Sequence, residues 1–377
     1  MPPVYLDCNA TTPLDPKVRA VFLKFIDEEF GNAGSRTHEF GMRARSAVQR
    51  AREQIAQLVR CEVDEVIFTS GATESNNLAL LGLADAGERT GRKHIVSTQI
   101  EHKAVLEPLA ELEKRGFEIT LLPSNERGGI SVGDLEAALR PDTLLVSVMH
   151  VNNETGVILP LEAVSRSLAN HPAYLHVDAA QGFGKLISDL QNPRIDLLSI
   201  SGHKIYAPKG IGALIARRRG YDRLPIRPLL FGGGQERGLR PGTHPVALIA
   251  ALGEASVQAL QQNLKRNGIC EKIKSLAVKA LTDVGGVVTG GEASTISSTL
   301  NIAFPGLDSE ALIVALKPHV AISNGSACTS HSYTASHVLR AMGLTAEHIS
   351  SSLRFSWSHL TPAVNWGAVA ETIAAMR

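Results

Sequence analysis

The sequence predicts an α/β fold built around a largely parallel β-sheet. Between about residues 65 and 220, short β-like segments alternate with helical patterns of roughly ten residues, which is typical of βαβ units. The segments at 144–149 and 212–216 are almost continuously apolar, as expected of strands that helices cover on both faces. A length of 377 residues allows two or three domains.

The predicted elements begin with a helix at 46–59, where apolar residues recur at helical spacing. Further helices at 74–86 and 104–115 separate the first three strands of the alternating region. The seven strand candidates lie at 65–69, 94–98, 117–122, 143–149, 174–177, 197–200 and 211–216.

After residue 245 the pattern changes. Segments 246–264 and 271–282 each predict a helix and 301–304 a strand, so this part of the chain indicates a smaller α+β domain. The stretch 224–245 before it is rich in Gly, Arg and Thr, which favours a functional loop over a linker.

The composition excludes several classes of protein. Hydrophobic residues make up 44% and charged residues 20% of the chain, values near the globular average that exclude wholesale disorder. Lys and Arg number 38 against 37 Asp and Glu, so a net charge of +1 gives no general attraction to nucleic acid or anionic membranes. The sequence shows neither an apolar run of about 18 residues nor a secretory-signal pattern, so we expect no membrane span and no export.

The cysteine content points to the compartment. Four cysteines are too few for a disulfide framework, and none forms a C-x-x-C pair that would indicate zinc or a redox dithiol. We therefore predict no metal site. Widely spaced free thiols fit a reducing cytoplasm, which is the predicted location.

The turn after the first predicted strand, Ser70-Gly-Ala-Thr-Glu-Ser, is the first candidate site segment. Backbone N–H groups at a helix N-terminus, with small residues and a hydroxyl, suit a phosphate group. The alternative is that Ser70 or Thr73 only caps the helix. The chain contains no Walker A pattern.

Two further segments follow strands of the same predicted sheet. Asp178 ends an apolar strand, where its carboxylate could neutralise a cationic ring nitrogen or simply cap the next helix. Lys204 lies at a tight turn with Ser201 and His203, which add phosphate donors. Desolvation favours the neutral amine of such a lysine and makes it a candidate to bond an aldehyde, whereas a lone lysine is usually a solvated charge. Together the three segments supply the groups that pyridoxal phosphate requires.

Three other segments carry candidate residues. Asn153 follows an apolar strand and can reach a ligand at the same sheet edge, although Asn also suits a plain turn there. Cys328 lies among Gly, Ser and Ala, which favours an exposed, mobile thiol over a buried structural one. Arg354 could present a bidentate fork to a carboxylate or remain a solvated charge.

Eight segments match one known family. They are YLDCNATTP (5–13), SGATESNN (70–77), the pair Glu101-His102, MHVNNETG (149–156), HVDAAQ (176–181), SISGHKIYAPKGIGAL (199–214), GGGQERGLRPGT (232–243) and SNGSACTS (323–330). On these segments the chain resembles the cysteine desulfurases, class-V members of the fold-type I pyridoxal-phosphate transferases, nearly end to end. The resemblance implies a large cofactor-binding domain at 14–258 with a mainly parallel seven-stranded sheet, and a small domain of residues 1–13 and 259–377 that carries a mobile Cys328 loop.

The resemblance implies a role for each residue that would contact the cofactor. Lys204 would bind pyridoxal phosphate covalently, Asp178 would pair with the pyridinium nitrogen, and Gln181 would form a hydrogen bond to the phenolic oxygen. His102 would stack on the ring and take part in proton transfer. The phosphate would be bound by Ala72, Thr73, Ser201 and His203.

Other implied roles concern the substrate and a second subunit. Asn153 and Arg354 would bind the carboxylate region of L-cysteine, and Cys328 would be the nucleophile that takes its sulfur as a persulfide and leaves L-alanine. Thr243 would reach the phosphate of a neighbouring subunit, so a homodimer is implied. The persulfide would then pass to a sulfur-acceptor protein.

The resemblance leaves the acceptor open. Supply to iron–sulfur clusters or tRNA thiolation is general in the family, whereas the Cys8 segment is similar to desulfurases associated with DNA phosphorothioation. We expect no direct contact with nucleic acid or membrane. The alternatives are another class-V aminotransferase, a selenocysteine lyase, and a non-catalytic scaffold that relays sulfur.

Overall fold

A computed structural model describes residues 2–291, 293–324 and 335–377. The strands in these residues are β1 (Val4–Tyr5), β2 (Val66–Thr69), β3 (His94–Thr98), β4 (Glu118–Leu122), β5 (Thr143–Met149), β6 (Tyr174–Asp178), β7 (Leu197–Ser201), β8 (Gly212–Ala216), β9 (Val287–Val288), β10 (Thr299–Ala303), β11 (Val320–Ala321) and β12 (Ser352–Ser356). The helices are α1 (Pro16–Asp27), α2 (Glu39–Val59), α3 (Ala72–Gly82), α4 (Ala84–Thr90), α5 (Lys103–Lys114), α6 (Val132–Ala138), α7 (Leu161–Ser167), α8 (Ile187–Leu190), α9 (Val246–Thr282), α10 (Ser309–Leu316), α11 (His337–Ala341), α12 (Ala346–Ser350) and α13 (Trp366–Ala374).

The predicted mainly parallel sheet is confirmed. In the described part of the chain its seven strands lie in the order β2-β8-β7-β6-β5-β3-β4. Pairing is parallel from β7 through β6, β5 and β3 to β4, and antiparallel on both sides of β8. β2 therefore runs in the same direction as β7, so the carboxyl ends of β2, β3, β5, β6 and β7 meet at one edge of the sheet.

Helices cover both faces of this sheet, which explains its almost continuous apolar strands. Every residue of β5 is buried. Side chains of α2 such as Ile55 pack with Val146 on one face, and those of α3 such as Leu78 pack with Leu145 on the other. The alternation of Val146 and Leu145 between two separate apolar clusters is the expected two-residue period of a strand.

A second apolar core joins the two ends of the chain. It surrounds the antiparallel sheet β12-β10-β9 and contains Leu6 from the first residues together with Phe304 and Trp357. β1 pairs in parallel with β11, so Val4 lies beside Val320. The domain boundaries at 14–258 and 259–377 stay a prediction.

The prediction of two separate helices at 246–264 and 271–282 is wrong, because α9 runs unbroken through 37 residues. The gap between the two predicted helices contains Gly268, a residue that costs a helix interior only about 1 kcal/mol relative to Ala. Arg266 and Cys270 on either side of it are buried, so packing outweighs that local preference. Neither α9 nor another helix of the described residues has an apolar stretch able to cross a membrane.

Candidate active site

A cavity of about 470 Å³ opens where the carboxyl ends of the parallel strands meet. Ten sequence-predicted residues line it, namely Ala72, Thr73, His102, Asn153, Asp178, Gln181, Ser201, His203, Lys204 and Arg354. Predicted residue Thr243 does not line the cavity, and predicted residue Cys328 lies outside the described residues.

The N-terminus of α3 faces the cavity without a capping side chain. Its N-cap is Gly71, at φ 154°, so neither Ser70 nor Thr73 occupies the capping position. The turn packs tightly against β8, where a Cβ on Gly212 would lie 2.6 Å from the Cα of Gly71. The first N–H groups of α3 are therefore available to an anionic ligand.

Ser201 and His203 extend this anion-binding corner from the end of β7. The Ser201 hydroxyl lies 3.6 Å from the position of a Cβ on Gly71, which places it beside the N-terminus of α3. Burial, together with the neighbouring charges of Lys204 and Lys209, lowers the pKa of His203 to about 4. His203 is therefore neutral, with Nδ1 3.2 Å from the Thr11 hydroxyl.

Lys204 ends the short 3-10 turn that follows β7, and its amine points at the N-terminal segment. Nζ donates to the carbonyl oxygens of Asn9 and Ala10, the latter at 2.9 Å. Asn9 is itself held through Nδ2, which donates to the Asn153 carbonyl at 3.0 Å. Sequence reasoning missed Asn9, although it lies inside the 5–13 segment, because nothing local indicates a contact with a lysine 195 positions away.

Asp178 is buried at the end of β6, and each oxygen of its carboxylate accepts one hydrogen bond. Oδ1 accepts the Ala180 N–H at 2.9 Å, as in a capping turn, and Oδ2 accepts Asn76 Nδ2 at 2.8 Å. Sequence reasoning missed Asn76 too. The signal available was a polar residue on the inner face of α3, three positions after the cavity residue Thr73.

His102 caps α5 beside this carboxylate. Its Nδ1 accepts the Ala104 N–H at 3.1 Å, so the ring carries its proton on Nε2. Burial lowers the pKa of His102, against the opposing charge of Asp178. The preceding Glu101 is fully enclosed, and burial raises the pKa of its carboxyl to about 8. Glu101 is therefore a neutral acid at pH 7, a property that the sequence did not indicate.

Arg354 reaches the cavity from β12. Its guanidinium donates from Nη1 to the Asn153 carbonyl at 3.0 Å, and Nη2 forms an ion pair with Asp7 at 2.7 Å. The side chain is almost completely buried, and Nε has no hydrogen-bond partner. A buried guanidinium at the rim of a cavity can bind a carboxylate. Asp7 was not singled out from the sequence.

Thr243 lies instead on an exposed apolar surface beside Phe22, Phe25 and Phe30. Phe30 is 69% exposed, although its ring stacks on that of Phe40 with 5.5 Å between the ring centroids. The residues that line the main cavity can bind an anion at α3, a cationic ring nitrogen at Asp178 and an aldehyde at Lys204. That donor set fits pyridoxal phosphate.

Comparison with known proteins gives a family. Residues 4–362 match the model of the family described as Aminotransferase class-V. "Cysteine desulfurase IscS" of Serratia proteamaculans (strain 568) is 46% identical over 362 residues, which are 95% of this chain and 89% of that protein.

Two solved structures show the same likeness. DndA from Streptomyces lividans superposes with a TM-score of 0.83 at 52% identity and covers 94% of this chain and 99% of its own. A structure described as SspA in complex with cysteine superposes with a TM-score of 0.80 at 35% identity, over 95% of this chain and 100% of its own. The similarity therefore extends through the cavity and both chain ends.

Proposed function

The chain belongs to the class-V aminotransferase family, among its cysteine desulfurases, and on that premise we propose that its cavity binds pyridoxal phosphate at Lys204 and converts L-cysteine to L-alanine. One observation carries the proposal. Asp178, Lys204 and the uncapped N-terminus of α3 line the same cavity, so the partner for a ring nitrogen, the amine for an aldehyde and the phosphate site occur together.

When bound, pyridoxal phosphate would link to the substrate amine and take up the electron pair released at its Cα. The protein's contribution is positional and electrostatic. The Asp178 carboxylate holds a proton on the ring nitrogen, and Arg354 fixes the substrate carboxylate. The Lys204 amine would accept the α-proton of the substrate.

We assign the sulfur-transfer step to Cys328. Its thiolate attacks the sulfur of L-cysteine, the C–S bond breaks, and Cys328 keeps the sulfur as a persulfide while protonation of the remaining fragment gives L-alanine. The other thiols support this assignment indirectly. Burial raises the pKa of Cys8 and Cys270 to about 11 and that of Cys61 to about 12, so these three are protonated at pH 7.

A single-turnover experiment tests the proposal. The purified holoenzyme, mixed with one equivalent of L-cysteine per chain and no added reductant, is expected to form L-alanine and up to one persulfide per chain, located by mass spectrometry on the peptide that contains Cys328. Cys328→Ser should bind the substrate but yield neither product. Cys61→Ser is the matched control and should behave as wild type. Normal persulfide formation by Cys328→Ser would contradict the assignment.

We also propose a homodimer in which the surface around Thr243 packs against a second copy of the chain. Phe22, Phe25 and Phe30 form an apolar pocket beside Thr243, a composition suited to an isologous interface. Light scattering should give twice the chain mass, and Phe30→Asp should shift that mass towards the monomer. Thr243→Ala should weaken cofactor binding only if Thr243 reaches the phosphate of the other subunit.

For the acceptor we propose a sulfur-accepting protein of iron–sulfur cluster assembly, following the IscS relatives. DNA phosphorothioation is the second candidate. It is supported by the 52% identity of this chain to DndA, compared with 46% identity to that IscS. Deleting the gene discriminates the two. Loss of iodine-cleavable phosphorothioate links in genomic DNA would indicate the second pathway, and loss of iron–sulfur enzyme activity with intact links the first.

We propose a cytoplasmic location for the enzyme. Cys8, Cys61 and Cys270 are all unpaired thiols, as expected in a reducing compartment. Cell fractionation with thiol alkylation before lysis is expected to recover the protein in the cytoplasmic fraction with its cysteines in the alkylated, reduced form. Recovery in an oxidised form from another fraction would contradict the proposed location.

A further inference from the structure

Lys185 is a buried lysine behind the cavity that none of the roles above uses. It lies in the turn after β6, and its side chain does not line the cavity. Its backbone carbonyl accepts Nδ2 of Asn263 at 3.0 Å and Nδ2 of Asn267 at 3.1 Å, both from α9. Its Nζ lies 3.3 Å from Oε1 of Gln181, which does line the cavity.

The two contacts of the Gln181 amide determine which way it faces. Nε2 donates to the Asn9 carbonyl at 2.9 Å, and Oε1 accepts from the Lys185 ammonium. A carbonyl cannot donate and an ammonium cannot accept, so the flipped amide would lose both hydrogen bonds. The observed orientation leaves the second N–H of Nε2 for a ligand in the cavity.

No charged side chain among those that face Lys185 in the described residues offsets the charge of its ammonium. The titratable groups that face it are the thiols of Cys8 and Cys270, with the Tyr206 phenol beside both. Burial raises the pKa of each thiol to about 11, so both are neutral at pH 7. Burial also lowers the pKa of Lys185, to about 8, which still leaves it mainly an ammonium at neutral pH.

We propose that Lys185 is a positioning residue that holds the Gln181 amide with Nε2 directed at the phenolic oxygen of the cofactor and strengthens that donation through its charge. The inference rests on the proposed function. A hydrogen bond to the phenolate and a nearby cation both stabilise the anion, so they lower the pKa of the proton that the phenolic oxygen shares with the lysine-bound nitrogen.

Titration of the visible absorption band of the holoenzyme reads this pKa directly. We expect Lys185→Met, which keeps the length of the side chain, to raise the midpoint by about one pH unit. Lys185→Arg should restore a midpoint close to wild type because it returns a cationic donor. Cys270→Ala, a buried neighbour without a hydrogen bond to Gln181, is the matched control and should leave the midpoint unchanged.

A double-mutant cycle separates positioning from a merely structural effect. Gln181→Ala should raise the midpoint by itself, and Lys185→Met should add little to it, since Lys185 acts through Gln181. Additive shifts, or an unchanged midpoint in Lys185→Met, would overturn the inference. Lys185→Gln makes the same distinction if the methionine variant does not fold.

Failure of the proposed function gives a different result. A wild-type chain that never develops the visible band in the presence of pyridoxal phosphate would refute cofactor binding itself. A wild-type chain with the band, whose midpoint moves in Gln181→Ala but not in either the Lys185→Met or the Lys185→Gln variant, would refute only the role of Lys185.

Discussion

The cavity has two walls that are built in different ways. The sheet wall consists of residues that follow the carboxyl ends of the central strands, such as Asp178 and Lys204. The chain-end wall consists of Asp7–Ala10 and Arg354, drawn from opposite ends of the sequence. Behind the sheet wall, Glu101 is fully enclosed, and burial raises the pKa of its carboxyl to about 8. In the chain-end wall, the charges of Asp7 and Arg354 meet as an ion pair at 2.7 Å.

The contrast separates two ways of burying a polar group. A lone buried acid avoids the cost of desolvation by remaining protonated, so its behaviour depends on pH. A buried pair keeps both charges and depends on the partner, so removing one member leaves the other uncompensated. We therefore expect the sheet wall to respond to pH and to the loss of single hydrogen bonds, and the chain-end wall to respond to truncation of either partner.

The largest effect is expected in the sheet wall, from Lys204→Ala. Under the proposed function, loss of the amine would remove both the covalent link to the cofactor and the base at the substrate Cα, so kcat should fall by at least about a thousandfold. Borohydride reduction followed by peptide mapping checks the linkage. Lys209→Ala, at an exposed lysine that also lines the cavity, is the control and should still give the labelled Lys204 peptide.

In the chain-end wall, Arg354→Ala is expected to raise the KM for L-cysteine about 100-fold, because it removes the proposed contact with the substrate carboxylate and takes the ion-pair partner from the partly exposed Asp7. Steady-state alanine formation measures the change. Arg340→Ala, on the exposed side of α11, should leave KM unaltered. An unchanged KM in Arg354→Ala would show that the chain-end wall does not contribute to substrate binding.

The pH dependence of stability distinguishes the walls further. Glu101 has a folded pKa of about 8 against an ordinary value of 4.5, so it binds more protons when folded. Its contribution is complete below about pH 4.5 and is lost as pH rises towards 8. Glu101→Gln, neutral at every pH, should therefore gain about 4 kcal/mol of stability relative to wild type between pH 5 and pH 8.5.

Urea unfolding at several pH values measures this difference. Glu111→Gln, at an exposed glutamate on the same helix α5, is the control and should follow the wild-type pH profile. A constant offset between wild type and Glu101→Gln from pH 5 to 8.5 would show that folding does not raise the pKa of Glu101.

The smallest expected effect is that of Asn76→Ala. The variant removes one hydrogen bond to the Asp178 carboxylate while leaving the charge in place, so the cofactor affinity should fall about fivefold to tenfold. Equilibrium titration with pyridoxal phosphate measures it. Asn77→Ala changes the next residue of α3, whose amide donates to the Thr73 carbonyl, and should bind the cofactor normally.

The sheet wall could be predicted from the sequence, and the chain-end wall only in part. Asp178 and Lys204 follow recognisable strands, and the carboxyl ends of parallel strands share one edge. The partners of Arg354 gave no comparable signal, because Asp7 is 347 positions away and its contact exists only after β1 has paired with β11. A local sequence pattern does not reveal a contact between two residues that lie so far apart in the chain.

Two other misses have different physical causes. Asn76 was overlooked because its neighbours suggested a helix face, and a polar residue on such a face is usually solvated. The break predicted in α9 spans Gly268, where local helix propensity is low, whereas the buried Arg266 and Cys270 show that packing decides the conformation there. The roles of Cys328 and Thr243 stay predictions.

The pairing of the chain ends also bears on how the enzyme is made. During synthesis the first residues leave the ribosome long before residues 320 and 354, with which Val4 and Asp7 pair. The sheet can assemble from segments already exposed, but β11 and β12 can hold Asn9 and Ala10 beside Lys204 only after residues 320–356 have been synthesised. We therefore expect a cofactor to enter a finished cavity only after residues 320–356 have emerged from the ribosome.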